Sequence, residues 1–246
     1  LVCYEIGDGG DGAHVEGSSH VVFASCTLVG RGGGYDWWGY CDGGAGGNGA
    51  SSNTSTVALY DCTVRGGAGG WAEENYVSGT GGRGGQGWRH VDQQLFASRT
   101  AFWGGSGGDQ WHGGDGGDAL EVQAAEADLR SCIYRPGHGD PGNGGGSGHD
   151  GQAQAGTGVF NTLNGIARVV HGPLLVADTG TMAVTVYGQR GDRVWFPSSL
   201  VPAQRFIPSL GGVRLVRAPT WMSLDPQGTV PASGQLDLQL SVPPLP

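Results

Sequence analysis

Two aspartates in a glycine-rich run are the first residues able to do chemistry. Residues 113–121 read Gly-Gly-Asp-Gly-Gly-Asp-Ala-Leu-Glu. A calcium ion takes carboxylate and carbonyl oxygens, so Asp115 and Asp118 are weighed as ligands in a chain otherwise expected to hold no cofactor. The runs at 43–50 and 81–88 carry Asn48 and Gln86 where the aspartate should stand. The competing reading makes Asp11, Asn48, Gln86 and Asp118 caps whose side chains accept bonds from backbone amides. A second set, His138, Asp140, His149 and Asp150, lies in a glycine-rich loop. These are common ligand types, but no tight spacing selects a metal, and a solvated loop accounts for them. The acids Asp36, Asp42, Glu73, Glu74 and Asp109 serve glycoside chemistry only as pairs at a definite separation across a groove. Trp37, Trp38, Trp71 and Trp111 offer flat faces for a sugar ring, or lids that keep water from the ends of glycine tracts. Arg190-Gly191-Asp192 is a match of near-chance length beside an apolar run and reads as a turn.

These residues are positioned by a repeat. Residues 43–70 run from one Gly-Gly-X tract through a short strand into a second tract, and the pattern recurs at 7–34, 81–108, 113–134 and, degraded, 139–170. Val21-x-Phe23-x-x-Cys26-x-Leu28 aligns with Val57-x-Leu59-x-x-Cys62-x-Val64 and Ala127-x-Leu129-x-x-Cys132-x-Tyr134. Phe96-x-x-Arg99-x-Ala101 is taken as the copy between them, Leu163-x-x-Ile166 as a fifth, and Cys3 as the same position one turn earlier. Apolar residues two apart share a strand face. The gap of three between Phe23 and Cys26 keeps both strands facing inward if a corner falls at Ala24-Ser25. Two short strands per coil, joined at a corner, read as a parallel β-solenoid. Cys26, Cys62 and Cys132 then form an inward structural ladder, in which packing is favoured over redox chemistry. Arg99 breaks it, and either turns outward or pairs with an acid.

The glycine tracts have period three, the period of a polyproline-II-type helix, which has no internal hydrogen bonds. Its amides need partners on neighbouring chains, and glycine at two of three positions lets those neighbours approach. The expectation is polyglycine-II helices packed side by side, one outgoing and one returning per repeat, against the alternative of flexible loops. After Pro173 glycine thins. Alternation appears in Met182-Val184-Val186, Val194-Phe196 and Leu236-Leu238-Leu240, which reads as a small antiparallel β unit. The expected organisation is a Gly-rich solenoid over residues 1–172 and a C-terminal β-rich domain over 173–246, packed on the last coil and ending in an extended tail.

The V-x-L-x-x-C-x-V coil resembles the secreted right-handed parallel β-helix proteins of the pectate-lyase-like superfamily, over roughly residues 1–172. Members include polysaccharide lyases and hydrolases, adhesins and surface fibres, so the resemblance implies architecture and an extracellular or cell-surface setting more than an activity. The tracts resemble the Gly-rich springtail antifreeze proteins and certain phage tail-tip adhesins. Residues 113–121 resemble the calcium nonapeptide of RTX proteins, though the tandem copies that an RTX roll needs are absent.

Composition narrows the function. The chain of 246 residues has 52 glycines, about three times the usual share, and the anchors supplied by eight Trp argue against disorder. Its net charge of −9 with no lysine argues against a nucleic-acid partner, and no apolar run reaches the length of a membrane span. Five cysteines without a CxxC give no zinc knuckle. Leu1-Val2-Cys3 reads as the tail of a strand, and the chain as a processed or fragmentary one. The reading is a non-enzymatic, self-associating, extracellular structural protein, with head-to-tail strand addition at an open edge. A carbohydrate-binding adhesin using the aromatic edge is the first alternative and a polysaccharide lyase or hydrolase the second. The enzymatic reading has no lysine base and only Arg99 as a coil-face candidate. Ice binding ranks last, because Arg83, Gln86, Asp115 and Asp118 do not make a flat face.

Overall fold

The computed structural model describes residues 7–17, 20–35, 41–71, 79–163, 169–171, 181–187, 190–194, 202–207, 212–216 and 227–241. Cys3, Asp36, Trp37, Trp38, Glu73, Glu74, Ile166, Phe196 and the tail after Ser241 lie outside the described residues. The chain forms two compact units, Leu1–Leu163 and Asn164–Pro246, dividing earlier than the expected boundary at 172.

The first unit is a parallel β-solenoid. Its first coil holds β1 (His14–Glu16), β2 (His20–Ala24) and β3 (Thr27–Val29). The second holds β4 (Ala50–Asn53), β5 (Thr56–Tyr60) and β6 (Thr63–Arg65), and the third β7 (Trp88–Val91), β8 (Gln94–Ser98) and β9 (Ala101–Trp103). The fourth holds β10 (Leu120–Gln123), β11 (Glu126–Arg130) and β12 (Ile133–Arg135), and β13 (Gln154–Ala155) and β14 (Val159–Thr162) begin a fifth. Three parallel sheets result, in the orders β1-β4-β7-β10-β13, β2-β5-β8-β11-β14 and β3-β6-β9-β12.

Each full coil therefore has three strands where the sequence suggests two. The missed strands open each coil and carry little apolar alternation, because Ser52 and His90 occupy inward positions in β4 and β7. The corner is where the spacing places it. Ser25, Asp61, Arg99 and Ser131 adopt φ of 53°, 54°, 50° and 50°. This left-handed backbone turns the chain so that both flanking strands face the interior. A second stack of such residues, Gly17, Thr54, Asp92 with Gln93, and Ala124, separates the first strand of a coil from the second.

The third coil corrects the alignment. Leu95 pairs with Val57 and Ala97 with Leu59, so the copy is Leu95-x-Ala97-x-x-Thr100-x-Phe102. Thr100 takes the cysteine position, and its hydroxyl donates to the Ser98 carbonyl at 3.2 Å as the Cys62 thiol donates to Tyr60 at 3.2 Å. Arg99 is one residue earlier, at the corner, and ion-pairs with Asp61 of the corner before it. The misreading has a physical cause. Phe96 is apolar and buried but sits on the outer face, with its ring 5.5 Å from that of Tyr60, so two adjacent apolar residues leave the register undetermined. The fifth copy is likewise shifted by one, since Thr162 and not Leu163 pairs with Leu129.

The interior is one continuous apolar column that includes Val57, Leu59, Cys62, Val64, Trp88, Leu95, Phe102, Leu120, Val122 and Leu129. Cys62 is buried, while Cys26 and Cys132 pack against this core. Burial raises the pKa of the Cys62 and Cys132 thiols, away from the thiolate that reactivity requires.

The glycine tracts form two columns beside the strands. In the turn Gly46-Gly47-Asn48 the three amides go to three different places, and other turns share parts of the pattern. One crosses to the other column, from Gly47 to Arg31, Gly67 to Gly47, Gly85 to Gly67 and Gly105 to Gly85, each at 2.8 Å. The next follows its own column to the adjacent coil, as from Gly46 to Arg83 and from Gly84 to Asp115, both at 2.8 Å. In the incoming column the amide of several X residues meets a side chain of the preceding coil. Ala45 bonds Asp8, Asn48 bonds Asp11 and Gln86 bonds Asn48, at 2.7, 2.8 and 3.1 Å. This is the hydrogen bonding that a backbone without internal bonds must find outside itself, and it gives the tracts a fixed register rather than the freedom of loops.

The second unit is antiparallel. Its strands are β15 (Val169–His171), β16 (Thr181–Tyr187), β17 (Arg193–Val194), β18 (Pro202–Ile207), β19 (Gly212–Val216), β20 (Gly228–Thr229) and β21 (Gln235–Ser241). Its sheets are β15-β16-β21, β17-β20 and β18-β19. The alternating residues meet as expected, Val184 opposite Leu238 and Val186 opposite Leu236. Val184, Val186, Val194 and Val230 form its core. The Arg190-Gly191-Asp192 segment is a turn, with Gly191 at φ +92° and its amide bonded to Val230 at 2.9 Å.

Candidate functional site

The carboxylates singled out for calcium point at backbone. Asp115 Oδ1 accepts the His149 amide and Asp118 Oδ1 the Gln152 amide, each at 2.7 Å. Asp118 Oδ2 also meets Arg83 Nη2 at 3.1 Å. Asp11, Asn48 and Asp118 thus act as amide acceptors, with Asp8 and Asp115 as further members. No group of three or more His, Cys, Asp or Glu that could hold a metal occurs among the described residues. In the loop after β12, Asp150 Oδ1 accepts the Gly139 amide at 2.9 Å and lies 3.5 Å from His138 Nδ1. Asp140 Oδ1 accepts the Gly142 amide at 2.8 Å.

The aromatic edge is divided. Trp111 is half-buried beneath a glycine pair, such that a Cβ on Gly144 would lie 2.5 Å from its Cη2. Trp71 is exposed and stacks on Tyr35, with ring centroids 5.8 Å apart and planes inclined by 16°. The edge acids are tied down as well, Asp42 Oδ1 accepting the Thr80 amide at 2.8 Å and Asp109 Oδ1 accepting from Asn143 Nδ2 at 3.0 Å.

A different cluster lies on the outer face of the first sheet. Parallel register brings His14, Ser51, Arg89 and Glu121 into one row across β1, β4, β7 and β10. With Asp11, Asn48, Asn53 and Val91 the first three line a shallow groove of about 310 Å³. Ser51 Oγ donates to Asp11 Oδ2 and stands 2.7 Å from His14 Nδ1. His14 Nε2 is 3.6 Å from Glu16 Oε2, and Arg89 Nε is 3.6 Å from Glu121 Oε2.

A serine, a histidine and a glutamate in contact invite comparison with a nucleophilic relay. The proton arrangement differs. Ser51 has one hydroxyl proton and gives it to the Asp11 carboxylate, so the bond to His14 is made with His14 Nδ1 as donor. The histidine is then not a base toward Ser51, and the cluster is a clamp between β1, β4 and the first glycine tract. Asp11 is the one carboxylate in the lining, whereas glycosidic hydrolysis uses a facing pair. The groove offers hydrogen-bond donors and acceptors suited to a small polar molecule. Sequence reasoning missed it because the strands that carry it lack an apolar period. The signal available was the recurrence of four residues after each tract, Ala-Ser-Ser-Asn and Trp-Arg-His-Val among them.

Ser52 also lines the groove; Trp88 Nε1 donates to its Oγ at 3.0 Å, which leaves the Ser52 proton for His90 Nδ1 at 2.6 Å. Burial pushes the pKa of His90 down to about 4, against smaller opposing contributions from the Gln93 backbone and the Asp92 charge.

No protein-family description matches the chain, and neither the curated proteins nor the solved structures give a match.

Proposed function

We propose that the chain is an extracellular, non-catalytic structural protein that self-associates through the face of its first coil. The observation that carries this reading is a set of glycines on which no described residue presses. In every later coil the glycine equivalent to Gly7 or Gly10 is pressed on the coil before. A Cβ on Gly44, Gly47, Gly82 or Gly85 would stand 2.4, 2.2, 2.0 or 2.0 Å from a carbonyl oxygen of the preceding incoming tract. At Gly7 and Gly10 no described residue lies within 4 Å.

The strands beside them are in the same condition. Val57, Leu59, Cys62 and Val64 are buried in the second coil, while Val21, Phe23, Cys26 and Leu28 are only half-buried in the first. Among the described residues, β1, β2 and β3 each pair on one side. An open edge over a half-covered apolar layer takes up further strands readily. Arg31 limits what can dock. Its equivalents Gly67, Gly105 and Gly137 each pack on the outgoing tract before them, so an arginine there ends the outgoing column. The partner surface is accordingly a strand layer with one tract, supplied by a second copy in a heterologous contact. The extracellular setting rests on the likeness of the coil motif to secreted β-helix proteins.

Sedimentation velocity and electron microscopy of wild type and Gly10→Val test this. The substitution has room among the described residues, so folding is expected to be retained and association lost. A wild type that stays monomeric at high concentration refutes the reading. The exposed Tyr35–Trp71 pair favours a second reading, a glycan-binding module, which loss of glycan-array signal in Trp71→Ala would support.

A further inference from the structure

The outer face of the third sheet carries positive charge with which no acid among the described residues pairs. Across β3, β6, β9 and β12 the parallel register aligns Val29, Arg65, Trp103 and Arg135 in one row, and Thr27, Thr63, Ala101 and Ile133 in the next. The Arg65 guanidinium lies 5.9 Å and that of Arg135 5.2 Å from the centre of the Trp103 ring, on the two strands flanking it. Both arginines are exposed. Elsewhere Arg83, Arg89 and Arg99 pair with Asp118, Glu121 and Asp61. Arg65 and Arg135 have no ion pair among the described residues, in a chain of net charge −9.

We infer that this row is a binding strip for a linear anionic polysaccharide, carboxylated or sulfated, lying along the solenoid axis. The two arginines stand on strands two spacings apart, about 10 Å, which suits negative groups recurring along a polymer better than one small ion. The planar fork of arginine takes carboxylate or sulfate oxygens two at a time. Trp103 holds both forks over its ring, which limits the rotamer freedom each loses on binding. Thr27 and Thr63 on the neighbouring row supply hydroxyls for those of a sugar, and both are at least partly exposed. The strip is flat and one row wide. A single row of largely exposed side chains on a sheet face suits an extended polymer better than the buried anchor on which a protein partner would depend.

The test is binding of the full chain to a sulfated glycan of the heparin type, a polyuronate, a neutral glucan and polyglutamate, by calorimetry at low salt. Binding to one or both anionic glycans, not to the glucan, and weakened by added salt is expected. Arg65→Ala and Arg135→Ala should each weaken it about tenfold, and together about a hundredfold. Arg190→Ala removes the same charge from an exposed turn of the second unit and should leave binding within about twofold. Circular dichroism confirms that the variants fold, as expected for exposed side chains. Absence of binding to either anionic glycan, equal loss in Arg190→Ala, loss in Trp71→Ala in place of the strip variants, or equally tight binding of polyglutamate would each overturn the assignment.

Discussion

Replacing Gly85 by alanine tests the column architecture most directly. The new Cβ would lie 2.0 Å from the Gly47 oxygen and 2.5 Å from its carbonyl carbon, both backbone atoms. Ordinary contact begins at 3.4 Å, so the tracts must part by roughly 1.4 Å, too far for a rigid backbone to absorb without loss. The Gly85 amide bonds the Gly67 carbonyl, and the Gly85 carbonyl accepts from Gly105, both at 2.8 Å. Leaving two buried backbone groups unpaired costs about 1–3 kcal/mol each, or about 2–6 kcal/mol together. Removing a glycine from the unfolded chain returns only about 0.4–1 kcal/mol. Against a typical total of about 5–15 kcal/mol, the loss is large. Gly10→Ala is the matched control. No described residue lies within 4 Å of its Cβ, so the entropic gain stands alone and stability should hold or rise by about 0.5 kcal/mol. Urea denaturation followed by tryptophan fluorescence reads both variants. Equal midpoints for Gly85→Ala and wild type would refute close packing of the tracts.

Two further outcomes follow from buried groups. His90 is neutral in the fold because its pKa is held at about 4 rather than 6.5, while the unfolded chain takes up that proton below about 6.5. Stability should therefore fall as pH drops from about 6.5 to about 4, by up to about 3 kcal/mol, and a melting series on His90→Leu should lose that part of the slope. Asp118→Ala strips the acceptor from the Gln152 amide and the partner from Arg83, and should cost about 1–3 kcal/mol by chemical denaturation. With Asp115 and Asp118 occupied by amides, calcium and a chelator should give the same melting temperature, and a calcium-dependent rise would reverse that assignment.

The glycine period was legible without coordinates, because only a backbone stripped of Cβ at two positions in three can lie against another at carbonyl distance. The corner was legible too, since a three-residue gap between inward residues demands a turn in the strand. So were the facing pairs Val184–Leu238 and Val186–Leu236, because alternation declares which residues share a face. The ladder at Cys26, Cys62 and Cys132 belongs with them, but its third rung does not. Leu95 and Phe96 are both apolar, and only the pairing of Leu95 with Val57 shows that Thr100 continues the ladder and Arg99 stands at the corner. The acceptor role of the tract aspartates and the aligned row Arg65–Trp103–Arg135 belong to tertiary structure alone. Their members are 32 to 38 residues apart, as Arg65 to Trp103 and Trp103 to Arg135. Coil length varies by the residues that each loop and corner inserts, so the stacking that makes such residues neighbours is set by hydrogen-bond register and not by any spacing along the chain.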